Sequence, residues 1–212
     1  MRNRFILRNR SSFPIWLRPI GRAVQFGDLK SDTELFTFQE SSSLTLSHSV
    51  RVDITSAGTY QSDSSLTPGT IPAGTEVDSY FLHSEPVHQP KVYVGSITFS
   101  TPILGVIVLD AGLDRTDALL GAPGTLYPTG NAGRGLELSP TEDYVSLSSD
   151  LKTLSVHFTT HSDIDEVRIL TAAVPEPASL ILAVPALVAL PLLSRFVRRS
   201  KTGCPSRDRG PR

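Results

Sequence analysis

Residues 178–193 are sixteen in a row without a charge, and this run limits what the end of the chain can form. Extended to Val197, it makes a helix of about 30 Å at roughly 1.5 Å per residue, which matches the apolar core of a bilayer. Four cations follow the run, a pattern that keeps the adjoining segment in the cytoplasm: Arg195, Arg198, Arg199 and Lys201. We therefore expect a single transmembrane helix over 178–197, a basic cytoplasmic tail over 198–212, and export of the residues before them.

Upstream of this run, the hydrophobic pattern is typical of β-strands. Apolar residues between Leu44 and Ile54 share one parity, which predicts a single half-buried strand. The alternation at Val92 and Val94 passes to the other parity by Ile97, so we expect a β-bulge at Gly95-Ser96 that restores the face. The continuous apolar run 103–109 predicts a strand covered on both sides.

Clusters of glycine and proline separate these segments, and residues 114–120 predict one short helix. Strands at this spacing predict an all-β fold, an antiparallel β-sandwich that is jelly-roll-like, over residues 34–171. Residues 172–178 are expected to form a proline-rich linker to the transmembrane helix. The body contains no cysteine, which excludes disulfides, thiolate nucleophiles and cysteine-bound zinc there.

The charge of the chain differs strongly between regions. Residues 24–174 contain seven lysines and arginines against nineteen aspartates and glutamates, a net charge of −12, whereas six arginines precede them and seven cations follow. An acidic body is repelled by phosphate backbones, so we expect no nucleic-acid partner. Residues 1–30 form either a basic N-terminal arm or a degenerate leader, because they lack the apolar core of a signal peptide.

The junction between body and tail carries a motif, in which Val174, Pro175, Glu176 and Pro177 precede the apolar run and the basic stop. This arrangement resembles the PEP-CTERM sorting signal of exported bacterial proteins, a motif also described as the C-terminal domain of ice-binding proteins. The resemblance implies recognition by a membrane-embedded sorting enzyme, an exosortase, which cuts near the motif and releases or transfers the body.

Parts of the body are also similar to a group of PEP-CTERM exported proteins without assigned activity. The segments that carry this similarity include Phe38-Gln39-Glu40, Gly95-Ser96-Ile97-Thr98-Phe99 and Ile107-Val108-Leu109-Asp110. The similarity implies export of the body and brings no catalytic residues with it.

Candidate metal ligands in the body are few. Three aspartates bracket a glycine-containing turn and offer oxygens to Ca²⁺, although acids that solvate a loop or cap a helix give the same pattern: Asp110, Asp114 and Asp117. Glu142 and Asp143 form an adjacent acidic pair typical of a solvated turn. Two histidine pairs are spaced like ligands but lack an evident third partner: His83 with His88, and His157 with His161.

Three functions fit these observations. The first is a non-catalytic exported protein, sorted to the cell surface or extracellular matrix by its C-terminal motif and helix, and associated with exopolysaccharide. The second is a calcium-dependent carbohydrate-binding module, suggested by the acidic sandwich. The third is a glycan-active enzyme, although the sequence contains no nucleophile elbow and no nucleotide loop. We expect the first, without enzymatic activity and without a required cofactor.

Overall fold

Some strands of the protein alternate buried and more exposed residues, as the sequence pattern predicts, whereas others are buried along almost their whole length. The computed structural model describes residues 13–16 and 24–173. Its elements follow in chain order: β1 Phe13–Trp16, β2 Glu34–Thr45, β3 Val50–Val52, β4 Gly58–Tyr60, a 3₁₀ turn Asp63–Ser65, β5 Gly69–Ile71, β6 Glu76–Ser84, β7 Lys91–Thr98, β8 Ile103–Ile107, α1 Asp110–Leu120, β9 Tyr144–Leu147, β10 Thr153–Thr160 and β11 Asp165–Ala172.

The strands form two larger sheets and one small ribbon. The first sheet has the order β1-β2-β6-β11-β8, the second has the order β4-β9-β10-β7, and β3 pairs with β5. All pairs between these strands are antiparallel except β1 with β2, which is parallel. The described part of the chain is therefore mostly β with antiparallel pairing, which confirms the expected all-β class.

The main hydrophobic core lies between the two larger sheets. Side chains from both sheets meet there and are almost completely buried: Tyr80, Leu82, Val167 and Ile169 from the first sheet, and Tyr93, Ile97, Leu154 and Phe158 from the second. Burial of apolar area on this scale is the main favourable contribution to folding.

A second core covers the opposite face of the first sheet. Residues of β2, β6 and β11 pack there against α1 and the β3-β5 ribbon: Phe38, Phe81 and Leu170 against Val52, Ile71, Leu113 and Leu120. The helix comes close because Gly112 has no side chain, since a Cβ there would lie 2.6 Å from Ile107 Cγ2. The first sheet is thus the middle layer, and β6 and β11 are buried on both faces.

The region 44–54 is not the single strand that its alternation predicts. β2 ends at Thr45 and β3 begins at Val50, although Leu46, Val50, Val52 and Ile54 are all buried. Small polar residues at 47–49 form a turn between them, so parity is preserved across a break that the hydrophobic pattern does not reveal.

The expected β-bulge at Gly95-Ser96 is wrong. β7 pairs with β10 in an uninterrupted register, so Tyr93 and Ile97 face the core while Val92 and Val94 are 54% and 45% exposed. Tyr93 offers more apolar area for burial than either valine, which decides the face. The predicted helix exists but begins a turn earlier than expected, at Asp110 rather than Asp114.

A buried arginine joins the middle sheet to the helix. Arg168, fully buried on β11, donates from Nε and Nη2 to the two carboxylate oxygens of Glu40, both at 2.7 Å. Its other N–H groups reach Thr116 Oγ1 at 2.6 Å, the Leu113 carbonyl at 3.2 Å and Asp117 Oδ1 at 2.9 Å. All five guanidinium donors are therefore satisfied, which is the condition for burying such a charge at tolerable cost.

Glu40 reaches this position at an irregularity in β2. The β2-β6 register shifts between Gln39 and Ser41, so that two residues lie opposite Ser79. Ser79 Oγ donates to Glu40 at 2.6 Å, and the Tyr127 hydroxyl donates to the other Glu40 oxygen at 2.6 Å. The glutamate therefore accepts four hydrogen bonds, from one guanidinium and two hydroxyls, in a buried site.

A second buried arginine, Arg134, extends the network along the helix. Its Nε donates to Glu166 at 2.8 Å, and its Nη1 donates to Asp114 at 2.9 Å and to Asp117 at 2.7 Å. Asp117 thereby bridges both arginines, and Glu166 passes the network on to His83 on β6 at 3.0 Å. One continuous network of ion pairs and hydrogen bonds joins β2, β6, β11, α1 and the segment around 134.

Arg168→Met is expected to destabilise the protein strongly, because it leaves Glu40 buried without its cation and removes one of the two arginines that bind Asp117. The loss should be about 3–5 kcal/mol of unfolding free energy. At roughly 2–4 °C per kcal/mol, the melting temperature should fall by about 6–20 °C. Adding Glu40→Leu should restore part of this loss, measured by thermal unfolding of both variants.

The matched control is Arg115→Met, because Arg115 is an exposed arginine on the same helix. It should change the unfolding free energy by no more than about 0.5 kcal/mol. Equal effects of the Arg115 and Arg168 substitutions would contradict the assigned role of the buried network.

In the part of the chain that the structure describes, no helix combines the length and the hydrophobicity that a membrane crossing requires. The expected transmembrane helix over 178–197, the motif residues Val174 to Pro177 and the basic residues after the helix lie outside the described residues. Residues 24–30 belong to the packed body rather than only preceding it, since Val24 is 2% exposed and Gly27 N–H donates to Glu85.

Candidate functional site

The three aspartates predicted as calcium ligands lie on α1, and their carboxylates bind groups of the protein. Asp110 accepts hydrogen bonds from the backbone N–H of Gly133 at 3.2 Å and of Gly135 at 2.5 Å. Asp114 and Asp117 bind the Arg134 guanidinium. These carboxylates attach residues 133–135 to the helix, so a cation would have to compete with an arginine for two of them.

The pKa of Asp117 reflects this pairing. Burial alone would raise the pKa of its carboxyl, but the hydrogen bonds from Arg134 and the charge of Arg168 outweigh burial and hold the pKa below its usual value. Asp117 is therefore ionised at neutral pH, and its contribution to stability is present above the unfolded pKa and is lost as pH falls through the folded one.

The structure does not bring the predicted histidine pairs together as ligands. His83 is buried on β6 between Glu166 and the Leu29 carbonyl, whereas His88 is exposed and lies 2.6 Å from Asp32. His157 bonds the Glu142 carbonyl at 2.7 Å, and His161 is exposed.

Another group of acids converges between the two sheets. Glu137, Asp143 and Asp165 each place one carboxylate oxygen within 4.8 Å of the others. Glu137 lies between α1 and β9, Asp143 directly precedes β9, and Asp165 begins β11. Within residues 24–173 these three side chains, here called the acidic trio, are the group with the spacing of metal ligands.

The buried members of the acidic trio are held by neighbouring hydrogen-bond donors. Asp143 accepts from the backbone N–H of Thr159 at 2.7 Å and of Glu137 at 3.3 Å. Asp165 accepts from the hydroxyls of Thr160 and Ser84. Asp143 and Asp165 are each 1% exposed, so the acidic trio presents mainly Glu137 to the solvent.

All three carboxyls of the acidic trio have raised pKa values. For Asp165 burial is the main cause and the charge of Asp143 adds to it, so its pKa lies well above the usual range. Burial likewise raises the pKa of Asp143 and of Glu137, and the charge of Asp143 raises the pKa of Glu137 further. The raised pKa values favour protonation within the acidic trio, and carboxylate oxygens are also the ligands that Ca²⁺ prefers.

Sequence reasoning missed the acidic trio for a clear reason. Asp143 was interpreted as half of a solvated acidic pair with Glu142, and Asp165 follows it by 22 positions. Their proximity depends on β10 returning antiparallel beside β9 and on β11 crossing to the other sheet. The one local signal is that Asp165 starts a segment which is apolar at alternate positions.

The outer surface of the second sheet carries a stacked pair of rings. Tyr144 on β9 and His157 on β10 are direct cross-strand neighbours, with ring centroids 4.6 Å apart and planes 10° from parallel. A groove of about 330 Å³ runs beside them, bordered also by Val94, Ser96 and Ser155.

A larger cavity of about 520 Å³ lies among the loops that contain residues 25–26, 128–131 and 162–163. Its lining combines one exposed aromatic ring with amide, hydroxyl and carboxylate groups: Phe26, Gln25, Asn131, Thr129, Ser162 and Asp163. Lys30 Nζ sits 5.0 Å from the centre of the Phe26 ring, which places a cation on the face of that ring.

Asp165→Asn is expected to raise the melting temperature at pH 8, because it removes a charge whose ionised form is disfavoured by burial and by Asp143. A gain of about 1 kcal/mol corresponds to roughly 2–4 °C. The exposed carboxyl of Asp28 makes no side-chain hydrogen bond or ion pair to other described residues, so Asp28→Asn is the control and should have little effect. Two results together would show instead that the acidic trio holds a cation: a lower melting temperature for Asp165→Asn, and a change of melting temperature with calcium in the wild type but not in this variant.

The pH dependence of stability is expected to have a maximum in mildly acidic solution. The raised pKa values of the acidic trio make the protein more stable as pH falls from 8 towards the unfolded values, near about 4. Below about pH 4, protonation of Asp117 removes its interaction with both arginines and stability falls. Melting temperatures from pH 3 to 9 test this, and a monotonic rise of stability with pH would contradict the shifts of the acidic trio.

Comparison with known proteins identifies no relative of this chain. No protein-family model, no curated protein and no solved structure matches the chain.

Proposed function

We propose that this protein is a non-catalytic, exported protein that is sorted to the cell surface or the extracellular matrix and associates there with exopolysaccharide. The observation that carries this proposal is the C-terminal series of Val174-Pro175-Glu176-Pro177, an uncharged apolar run and a basic stop. In this proposal the body is a jelly-roll-like sandwich, and one transmembrane helix over 178–197 holds it outside the cytoplasm until an exosortase-type enzyme cuts the linker.

The end of the described body supports cleavage at this place. β11 is the last strand of the described body, and the Ala172 N–H donates to the Pro102 carbonyl at 2.9 Å while the Ala173 N–H donates to the Glu76 carbonyl at 3.3 Å. The motif at 174–177 thus follows directly after the last described residue that is hydrogen-bonded to the body. A cut near residues 175–177 would therefore leave every strand of the described body intact.

The charge distribution supports the same proposal. The body carries a net charge of −12, and the cations that follow residue 193 stand on the far side of the apolar run. Cations beside a span stay in the cytoplasm, which orients the acidic body outwards.

The sorting proposal is tested by measuring the intact mass and the cell fraction of the protein in its native host. The wild type should end near Pro177 and lie outside the inner membrane. A variant with Pro175, Glu176 and Pro177 replaced by alanine should keep its full tail and stay in the membrane, because the motif is the recognised element.

The matched control replaces Gly203, Cys204 and Pro205 by alanine, three residues beyond the basic stop. This variant should be cut and located as the wild type is. A full-length wild-type protein held in the membrane, unaffected by the motif substitution, would indicate a simple membrane anchor and contradict sorting.

The calcium-dependent carbohydrate module is the less supported alternative. Two of the aspartates that suggested it bind Arg134, and the raised pKa values of the acidic trio favour protonated over ionised carboxyls there. A glycan-active enzyme is supported less still, because a glycosidase needs two carboxyls that reach the substrate, and Asp143 and Asp165 are 1% exposed.

A further inference from the structure

The outward side of the second sheet has an unusual composition for this protein. Strand register and burial place the same set of residues there, here called the outer face: Thr59, Val92, Val94, Ser96, Thr98, Tyr144, Ser146, Thr153, Ser155, His157 and Thr159. The set contains no lysine, arginine, aspartate or glutamate, although the body carries 26 such residues. The outer face is thus an uncharged surface on an acidic protein.

The outer face is ordered in rows that cross the strands. Thr59, Ser146, Ser155 and Ser96 are successive cross-strand partners, so four hydroxyls run across the whole sheet. With strands about 4.8 Å apart, this row spans roughly 14 Å. The neighbouring row consists of Tyr144, His157 and Val94, and it stands as a ridge of two rings and one apolar side chain beside the hydroxyls.

Hydrogen-bonding capacity in the groove between these rows is left for a ligand. The side-chain hydroxyls of Ser96, Ser155 and Tyr144 make no hydrogen bond to any other residue in the described part of the chain, whereas those of Thr59 and Ser146 bond each other at 2.8 Å. His157 Nδ1 lies 2.7 Å from the Glu142 carbonyl, which can only accept, so Nδ1 carries the proton. In the neutral ring Nε2 is then an acceptor.

We propose that the outer face binds a neutral polysaccharide chain along the row of hydroxyls. Ser96, Ser155, the Tyr144 hydroxyl and His157 Nε2 exchange hydrogen bonds with sugar hydroxyls. The Tyr144 and His157 rings and Val94 cover the apolar C–H surface of the sugars. The inference rests on the proposed function, and it names the ligand class and the surface that the matrix association would use.

Charge determines the choice of a neutral ligand. A polyanionic chain would meet the field of a body with net charge −12, and the outer face has no cation to offset that repulsion. A charged protein partner would lose hydration at this surface without gaining an ion pair. A neutral, hydroxyl-rich chain is neither repelled by the acidic body nor required to give up the hydration of a charge. A groove with a few convergent polar groups beside apolar walls is typical of ligand sites.

The test is affinity electrophoresis of the purified protein in gels that contain soluble neutral polysaccharides (a β-1,3-glucan, a β-1,4-glucan, dextran and a mannan), with alginate as the acidic counterpart. At least one neutral polysaccharide should retard the wild type, and alginate should not. Ser155→Glu should weaken binding at least tenfold, because it places a carboxylate in the groove at an exposed strand position. Tyr144→Ala should weaken it at least as much.

The matched control is Thr70→Glu, which introduces the same charge at an exposed strand position of β5. It should bind as the wild type does, and unchanged melting temperatures of Ser155→Glu and Thr70→Glu would exclude a folding defect. Phe26→Ala tests the cavity near Asp163 as the competing site. Loss of binding in Phe26→Ala with full binding by Ser155→Glu would overturn the proposal.

Two further results would also overturn it: retardation by alginate in preference to every neutral polysaccharide, or no retardation by any of them. These outcomes are separate from failure of the sorting proposal. A protein that is sorted correctly but binds no neutral polysaccharide contradicts only the outer-face inference. A protein that binds but keeps its tail in the membrane contradicts only the sorting.

Discussion

The structure depends on the burial of the Arg168 guanidinium in its middle layer. An arginine in a strand that is covered on both faces would be very costly alone, and here its five donors are all taken by Glu40, Asp117, Thr116 and Leu113. These partners come from β2 and from α1. The hydrogen bonds of one side chain therefore fix the positions of this strand and this helix relative to β11. Directional hydrogen bonds specify this arrangement more narrowly than apolar packing can.

The same interaction reaches further through Asp117. By bridging Arg168 to Arg134, Asp117 determines where the segment after α1 returns to the body, and Arg134 then binds Glu166 on β11. Asp143 and Glu137 lie on the chain that follows this return. The acidic trio and the Tyr144 end of β9 are therefore positioned by a network that has no direct contact with the outer face.

The sequence is sufficient for the fold class, because inward apolar residues recur at every second position in β10 and because glycine and proline clusters separate the strands. It does not determine faces and breaks in detail. Val92 and Val94 alternate as convincingly as Tyr93 and Ile97, and only the size of the buried side chain distinguishes the two choices. Across 44–54 parity survives a turn, so periodicity cannot show that β2 has ended. The sequence pattern predicts α1 over 114–120 but not its first turn, which begins at Asp110.

The sites were harder to predict than the fold. In the sequence the acids on α1 are candidate calcium ligands or helix caps, yet two of them bind Arg134, which lies 17 residues beyond Asp117 in the chain and has no periodic signal. Glu166 and Arg168 alternate with Val167 and Ile169, a pattern that normally places charges in solvent. They are buried because α1 packs over that face, and this packing is a tertiary contact that the local sequence pattern does not indicate. The outer face could not be recognised before the register of four strands was known.

The position of β11 has a consequence for the order of events in the life of the chain. The last strand in the described part of the chain, β11, lies between β6 and β8, so the first sheet stays divided until residues 165–172 have been synthesised. Before then both neighbouring strands present unpaired edges, and Glu40 has no arginine. Ribosomal synthesis and any passage through a membrane pore proceed from the N-terminus, so the body stays unfinished until almost all of it has emerged. The membrane anchor that we propose for residues 178–197 would hold the chain at the membrane while β11 completes the first sheet.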